Sequence, residues 1–150
     1  MEQKIREIRI YLDFAFRMTG KLASSREVAS AKTAFEVSKM MLGKVLAELG
    51  TKNPYPESKN PDSPKIEPTA EKSQDMQFKE GSDHVFKVKT LRQDGDVISK
   101  QLEELLEESL SPKVRLFCEN SFIECTKGVM WLGMELGRIR DLSEVESIKS

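Results

Sequence analysis

The chain has 150 residues, 38% hydrophobic, 33% charged and only 7% aromatic, with a formal net charge of −1. That length allows one domain or two small ones, and the polar balance suits helices that hide one stripe and solvate the rest. A near-neutral charge excludes a global field that would recruit long nucleic acid or an anionic membrane, so an anionic ligand needs a local Arg/Lys cluster.

The opening Met1-Glu2-Gln3-Lys4 leads into a charged amphipathic stretch, not a signal peptide, and no apolar run is long enough to span a bilayer. A cytoplasmic protein is expected. Ile5, Ile8, Leu12, Ala15/Phe16, Thr19 and Leu22 recur at steps of three and four, a helix signature. Gly20 and Ser24-Ser25 interrupt it, and Ser24 with Glu27 reads as a capping box. A second helix then carries Val28, Ala31, Phe35, Ser38, Leu42, Val45/Leu46 and Leu49 on one stripe, and stops at Gly50. So short a connection predicts an antiparallel first hairpin over 1–50.

Five of the six prolines fall between Thr51 and Glu80. Proline removes donors and restricts its neighbours, so 51–82 is expected to be an extended tether, with Tyr55 and Ile66 as possible anchor points. Periodicity resumes at Val85, Val88, Leu91, Ile98, Leu102 and Leu105, with Asp83 as cap. Asp94-Gly95-Asp96 leaves two readings, a helix with a weak point at Gly95 or a β-hairpin turn, and the helix is preferred. An EF-hand fails because its upstream ligands would be Thr90 and Arg92.

Ser111-Pro112 supplies a cap and first-turn proline for a last helix with Val114, Cys118, Ser121/Phe122, Cys125, Val129, Leu132, Leu136 and Ile139 on its stripe. The second hairpin is expected over 83–141 and a frayed tail over 142–150. Cys118 and Cys125 stand two turns apart, about 10 Å along the axis, too far for a disulfide and suited to small core residues. The fold expected is all-α: two antiparallel helical hairpins joined by a Pro-rich linker, packed as a bundle within an oligomer.

Sliding the chain by ninety residues lays Met40-Met41-Leu42-Gly43 on Met130-Trp131-Leu132-Gly133, Ala31 on Ser121, Phe35 on Cys125 and Leu46 on Leu136. A glycine repeated inside two helices costs about 1 kcal/mol each time and suggests close approach of a helix or ligand, or plain inheritance from a duplication. Arg26 lies on Leu116, Thr33 on Ile123 and Lys44 on Met134, so polar groups of the first copy become apolar in the second. The second copy is therefore read as turned toward packing.

No Walker loop, dinucleotide glycine fingerprint, HExxH or nucleophile elbow occurs, and the lone His84 is expected to be solvent-exposed. Neither an enzyme nor a cofactor is expected. Binding is what remains: Arg9, Tyr11, Arg17, Lys21, Arg26, Lys32, Lys39 and Lys44 surround the first stripe, where guanidinium or aromatic faces stack bases and cations hold phosphates.

The run Ser-Arg-Glu-Val-Ala-Ser-Ala-Lys-Thr-Ala-Phe-Glu-Val-Ser-Lys-Met-Met-Leu-Gly from Ser25 to Gly43, with Leu46 and Glu48-Leu49-Gly50, resembles the hairpin domain of phage anti-CBASS and anti-Thoeris sponge proteins. The downstream Asn-Pro-Tyr-Pro-Glu-Ser…Ile-Glu-Pro-Thr-Ala tether is similar to that of phage members, and Gly128 to Gly133 resembles the same helix again. The resemblance implies an oligomeric helical sponge that sequesters a cyclic oligonucleotide or cyclic ADP-ribose-type immune signal without cleaving it, in the host bacterial cytoplasm. It assigns Arg26 as the arginine opening the helix, Thr33 as the mid-helix threonine and Lys44 as the basic position, while Met41 stands where a tryptophan is common. Tyr11, Arg17 and Lys32 join these as candidate ligand residues by their chemistry. The partners expected are a cyclic nucleotide signal and further copies of the chain, with no long nucleic acid and no membrane. A protein-interaction module that scaffolds or inhibits a partner is the alternative, and a structural or virion-associated protein a third reading.

Overall fold

A computed structural model of the chain describes residues 1–50 and 83–149, with side chains described up to residue 143. The tether expected over 51–82, with its anchors Tyr55 and Ile66, lies outside the described residues. Among the described residues there are four helices: α1 (Glu2–Thr19), α2 (Arg26–Glu48), α3 (His84–Leu106) and α4 (Pro112–Lys149). No strand occurs among the described residues, so the all-α class holds, and Val85 to Val97 is helix.

The helix starts follow from short polar side chains. Ser25 Oγ accepts from the Val28 amide at 3.0 Å, Asp83 from Phe86 at 2.7 Å and Ser111 from Val114 at 3.4 Å, each satisfying an orphan donor. The cap of α2 is thus Ser25, one residue later than the Ser24–Glu27 pairing expected, and Glu27 instead lies 3.6 Å from Arg138 of α4. Beyond α2, Gly50 takes the left-handed φ of +78° that ends a helix without a Cβ penalty. The last helix continues through Lys149 instead of stopping near Asp141. Residues 142–149 contain no proline or glycine to break it.

Each helix carries a buried series at three-four spacing, the heptad of left-handed bundles. In α1 and just beyond it, Ile5, Ile8, Leu12, Ala15, Thr19 and Leu22 are buried; Val88, Leu91, Gly95, Ile98, Leu102 and Leu105 repeat that series eighty-three residues later. In α2, Val28, Ala31, Phe35, Ser38, Leu42 and Val45 are repeated by Cys118, Ser121, Cys125, Gly128, Leu132 and Glu135, ninety residues later. The ninety-residue shift read from Met-x-Leu-Gly therefore describes the second helix of each copy, while the first helices need a shift one heptad shorter. One heptad is two turns, so the same face stays inward.

Helix α1 packs on α2, α2 on α4, α4 on α3 and α3 on α1, closing a four-helix ring, and these contacts are compatible with pairing as two hairpins. Ascending residues of α2 meet descending residues of α4: Arg26 lies by Trp131, Ser38 by Ser121, Lys44 by Phe117 and Glu48 by Lys113. At the middle of this antiparallel seam, Ser38 Oγ donates to the Ser121 carbonyl at 2.7 Å and Ser121 Oγ donates to the Ser38 carbonyl at 2.9 Å. Two buried hydroxyls thereby satisfy one another.

The tightest packing centres on fully buried Phe35. A Cβ on Gly128 would lie 2.7 Å from its Cε1, and a Cβ on Gly95 would lie 2.8 Å from Val129 Cγ2 and 3.3 Å from Phe35 Cζ. These two glycines make room for a phenyl ring. The repeated pair plays a milder role: Gly43 is buried, and Gly133 lets the Arg92 guanidinium lie against α4, with Nε 3.3 Å from where a Cβ would stand. No helix of the described residues is long and apolar enough to cross a membrane.

Candidate functional site

Two polar constellations stand out, one buried and one open. The buried one surrounds Glu135, which occupies the core position that Val45 fills in α2 and is fully inaccessible. A carboxylate there requires donors. Its Oε1 accepts from Arg138 Nε at 2.7 Å and Ser25 Oγ at 3.1 Å; its Oε2 takes His84 Nε2 at 2.7 Å and Arg138 Nη2 at 3.0 Å. Burial pushes the Glu135 carboxyl up, but the hydrogen bonds from Arg138, His84 and Ser25 outweigh it and hold the group below the ordinary carboxylate range.

His84 is not the exposed residue expected from its position beside the tether. It is the first residue of α3, its side chain is three-quarters buried, and its Nδ1 accepts from the Ala23 amide at 3.3 Å. An accepting Nδ1 leaves Nε2 to donate to Glu135. The group contains Ser, His and Glu, yet it is not arranged for nucleophilic catalysis. The hydroxyl faces the carboxylate instead of the imidazole and is also taken up as the cap of α2. What it does is tie the α1–α2 connection, the start of α3 and the body of α4 together.

The open constellation is a groove of about 430 Å³ on the α2/α4 seam, lined by Arg26, Ala29, Ser30, Thr33, Ala34, Glu124, Lys127 and Trp131. The Arg26 guanidinium stands 5.8 Å from the centroid of the Trp131 ring, within cation–π range. Arg26 makes no ion pair among the described residues and lines the groove. Lys127 is held by Glu124 at 3.1 Å. Thr33 Oγ1 donates to the Ala29 carbonyl one turn back at 3.2 Å, which leaves its lone pairs free to accept. A planar ring sandwiched near Trp131 and a phosphate on Arg26 and Lys127 match these groups, and the volume falls within the range of small-molecule sites.

Of the six candidate ligand residues, the fold brings Arg26 and Thr33 into this groove and disperses the others. Tyr11 is buried in the core cluster. Arg17 pairs with Asp13 at 2.8 Å, and Lys32 lies over the Phe16 ring at 5.3 Å, both on the α1/α2 side. Lys44 lies over Phe117 at 5.8 Å, toward the other end of the α2/α4 seam.

Sequence reasoning missed Trp131, Lys127 and Glu124 as residues that line the groove with Arg26. A signal existed for the tryptophan: the ninety-residue shift lays Trp131 on Met41, inside the Met-x-Leu-Gly stretch that the two helices share. Glu135 also carried a signal, an acid on a core heptad position. Leu116, Ile123 and Met134, read as turned toward packing, are about half exposed. They point to the side of α4 away from the core.

No group of three or more His, Cys, Asp or Glu that could hold a metal ion occurs among the described residues. No family model, curated protein or solved structure matches the chain.

Proposed function

We propose that the protein is a sponge that binds a cyclic oligonucleotide or cyclic ADP-ribose-type signal and holds it intact, as a phage-type countermeasure in the bacterial cytoplasm. The observation that carries this reading is the α2/α4 groove, where Arg26, Lys127, Thr33 and the Trp131 ring converge. Cations supply the phosphate contacts, the indole face a stacking platform, and the hydroxyl an acceptor for a base or ribose. In this reading the chain works as two tandem hairpins whose seam is the binding surface, and chains assemble into an oligomer. The second copy then provides part of the ligand site as well as packing.

The resemblance of Ser25–Gly43 to sponge hairpin domains adds to the same reading. The experiment is calorimetric titration of the purified full chain with a panel of cyclic di- and trinucleotides and cyclic ADP-ribose isomers, followed by denaturation and analysis of what is released. Saturable binding with recovery of unaltered ligand is expected. Absence of binding across the panel, or release of a cleaved product, overturns the reading.

A further inference from the structure

The groove on the α2/α4 seam holds one residue that phosphate binding does not call for. Glu124 lines it with Arg26 and Lys127, and its side chain is only 24% exposed. Its one partner among the described residues is Lys127, whose Nζ donates to Oε1 at 3.1 Å. A carboxylate here repels any phosphate brought close to it. The ninety-residue shift lays Glu124, Lys127 and Trp131 on Ala34, Val37 and Met41. The acid, the cation and the indole are therefore particular to the α4 wall of this groove.

The antiparallel seam orders these groups along the groove. Arg26 beside Trp131 and Ser38 beside Ser121 set the register, which brings Ser30 about level with Lys127 and Thr33 with Glu124. Trp131 and Glu124 stand seven residues apart, about 10 Å along the axis. The phosphate-attracting end is thus at Arg26 and the phosphate-repelling end at Glu124. A nucleotide fits one way round, with phosphate at Arg26, the base on the Trp131 ring and the base's outer edge toward Glu124. Lys127 lies between the two ends, with donors for a phosphate and for a base carbonyl.

We infer that the groove selects guanine and that Glu124 is the residue that reads it, an inference that rests on the sponge reading above. Guanine carries two adjacent donors on its outer edge, N1–H and the N2 amine, which the two oxygens of one carboxylate accept side by side. Its O6 takes a donor from Lys127. Adenine presents one donor at N6 and an acceptor at N1 on the same edge. That N1 faces a carboxylate oxygen lone pair to lone pair, so the wrong base is penalised as well as the right one favoured.

Calorimetric titration of the full chain with cyclic di-GMP, cyclic di-AMP and cyclic ADP-ribose tests this. The wild type is expected to bind cyclic di-GMP at least about tenfold more tightly than either adenine ligand. Glu124→Gln keeps the shape, but its carboxamide offers one acceptor and one donor face, the pattern that adenine complements. The variant is expected to lose about tenfold for cyclic di-GMP while cyclic di-AMP binds as well or better, with unchanged helicity by circular dichroism. A preference unchanged in Glu124→Gln, or a loss equal for both ligands, overturns the role of Glu124. A wild type that binds the adenine ligands as tightly as cyclic di-GMP, or more tightly, overturns the inference and leaves the sponge reading standing. No binding to any of the three, nor to the wider panel, overturns both.

Discussion

His84 Nε2 lies 2.7 Å from Glu135 Oε2, joining the first residue of α3 to the one carboxylate buried in the bundle core among the described residues. With Ser25 Oγ and the two Arg138 nitrogens, the imidazole gives each carboxylate oxygen two donors. An isolated charge there would be costly; a charge with four donors is a fastener among elements distant in sequence.

Stability should therefore depend on the ionisation of Glu135. Its folded-state pKa is depressed below the unfolded value of about 4.3. The contribution is fully present above that unfolded value and is lost as pH falls through the lower folded value. Urea midpoints measured from pH 7 down to pH 2 should fall more steeply below about pH 4.3 for the wild type than for Glu135→Gln. At neutral pH, Glu135→Gln is expected to cost about 2–4 kcal/mol, because charge-assisted hydrogen bonds are replaced by neutral ones and one donor meets the amide NH₂. Equal pH slopes for the two proteins would refute the assignment.

Glycine substitutions in α4 should have opposite signs according to what their Cβ meets. Gly128→Ala would put a methyl 2.7 Å from Phe35 Cε1, in a core with no room to yield, and is expected to destabilise by about 1–3 kcal/mol. Gly137→Ala meets nothing within 4 Å and should stabilise by up to about 1 kcal/mol through helix propensity. Thermal or denaturant unfolding reads both. Phe35→Leu should make Gly128→Ala less harmful than it is in the wild type, and additivity of the two changes would show that the ring is not the obstacle.

Much of the architecture was legible because each helix carries its own three-four pattern and a short polar cap, signals local enough to read without neighbours. Asp83, Ser111-Pro112 and Gly50 all act as their chemistry predicts. The cap of α2 is one residue off because the capping-box spacing picks Ser24, with Glu27 three residues on, while Ser25 has Val28 there; the hydrogen bond from the Val28 amide makes Ser25 the cap. The site was less legible, since Arg26 and Trp131 are brought together by the antiparallel α2/α4 seam and not by spacing within a helix. Tyr11, a ligand candidate for its aromatic chemistry, lies buried among the core residues, a placement set by the helix face it occupies.

The two cysteines should behave as core residues. Burial pushes both thiols up to about 11, for Cys118 against the lowering effect of Arg115 and for Cys125 against the hydrogen bond from Ser99. The thiolate is the reactive form, so the folded chain at pH 8 should react negligibly with a disulfide reagent such as dithionitrobenzoate. Unfolding in guanidinium should release both thiols, two equivalents per chain. Rapid labelling of the native protein would mean that the α2/α4 or α3/α4 seam opens on the time scale of the assay.

The binding proposal makes a residue-by-residue prediction that separates the groove from the rest of the basic surface. Trp131→Ala should weaken binding of the signal nucleotide about tenfold to a hundredfold, the loss of a stacking platform worth about 1–3 kcal/mol. Arg26→Ala should weaken it by a similar factor, because removing an unpaired guanidinium loses a charge-assisted phosphate contact. Arg17→Ala and Lys32→Ala should change affinity by less than about threefold, a difference below 1 kcal/mol, because one is committed to Asp13 and both lie on the α1/α2 side of the bundle. Helicity should be unchanged in all four, which circular dichroism checks alongside calorimetry. If Arg17→Ala and Lys32→Ala abolish binding while Trp131→Ala leaves it intact, the ligand sits on the α1/α2 seam and the α2/α4 groove is not its site.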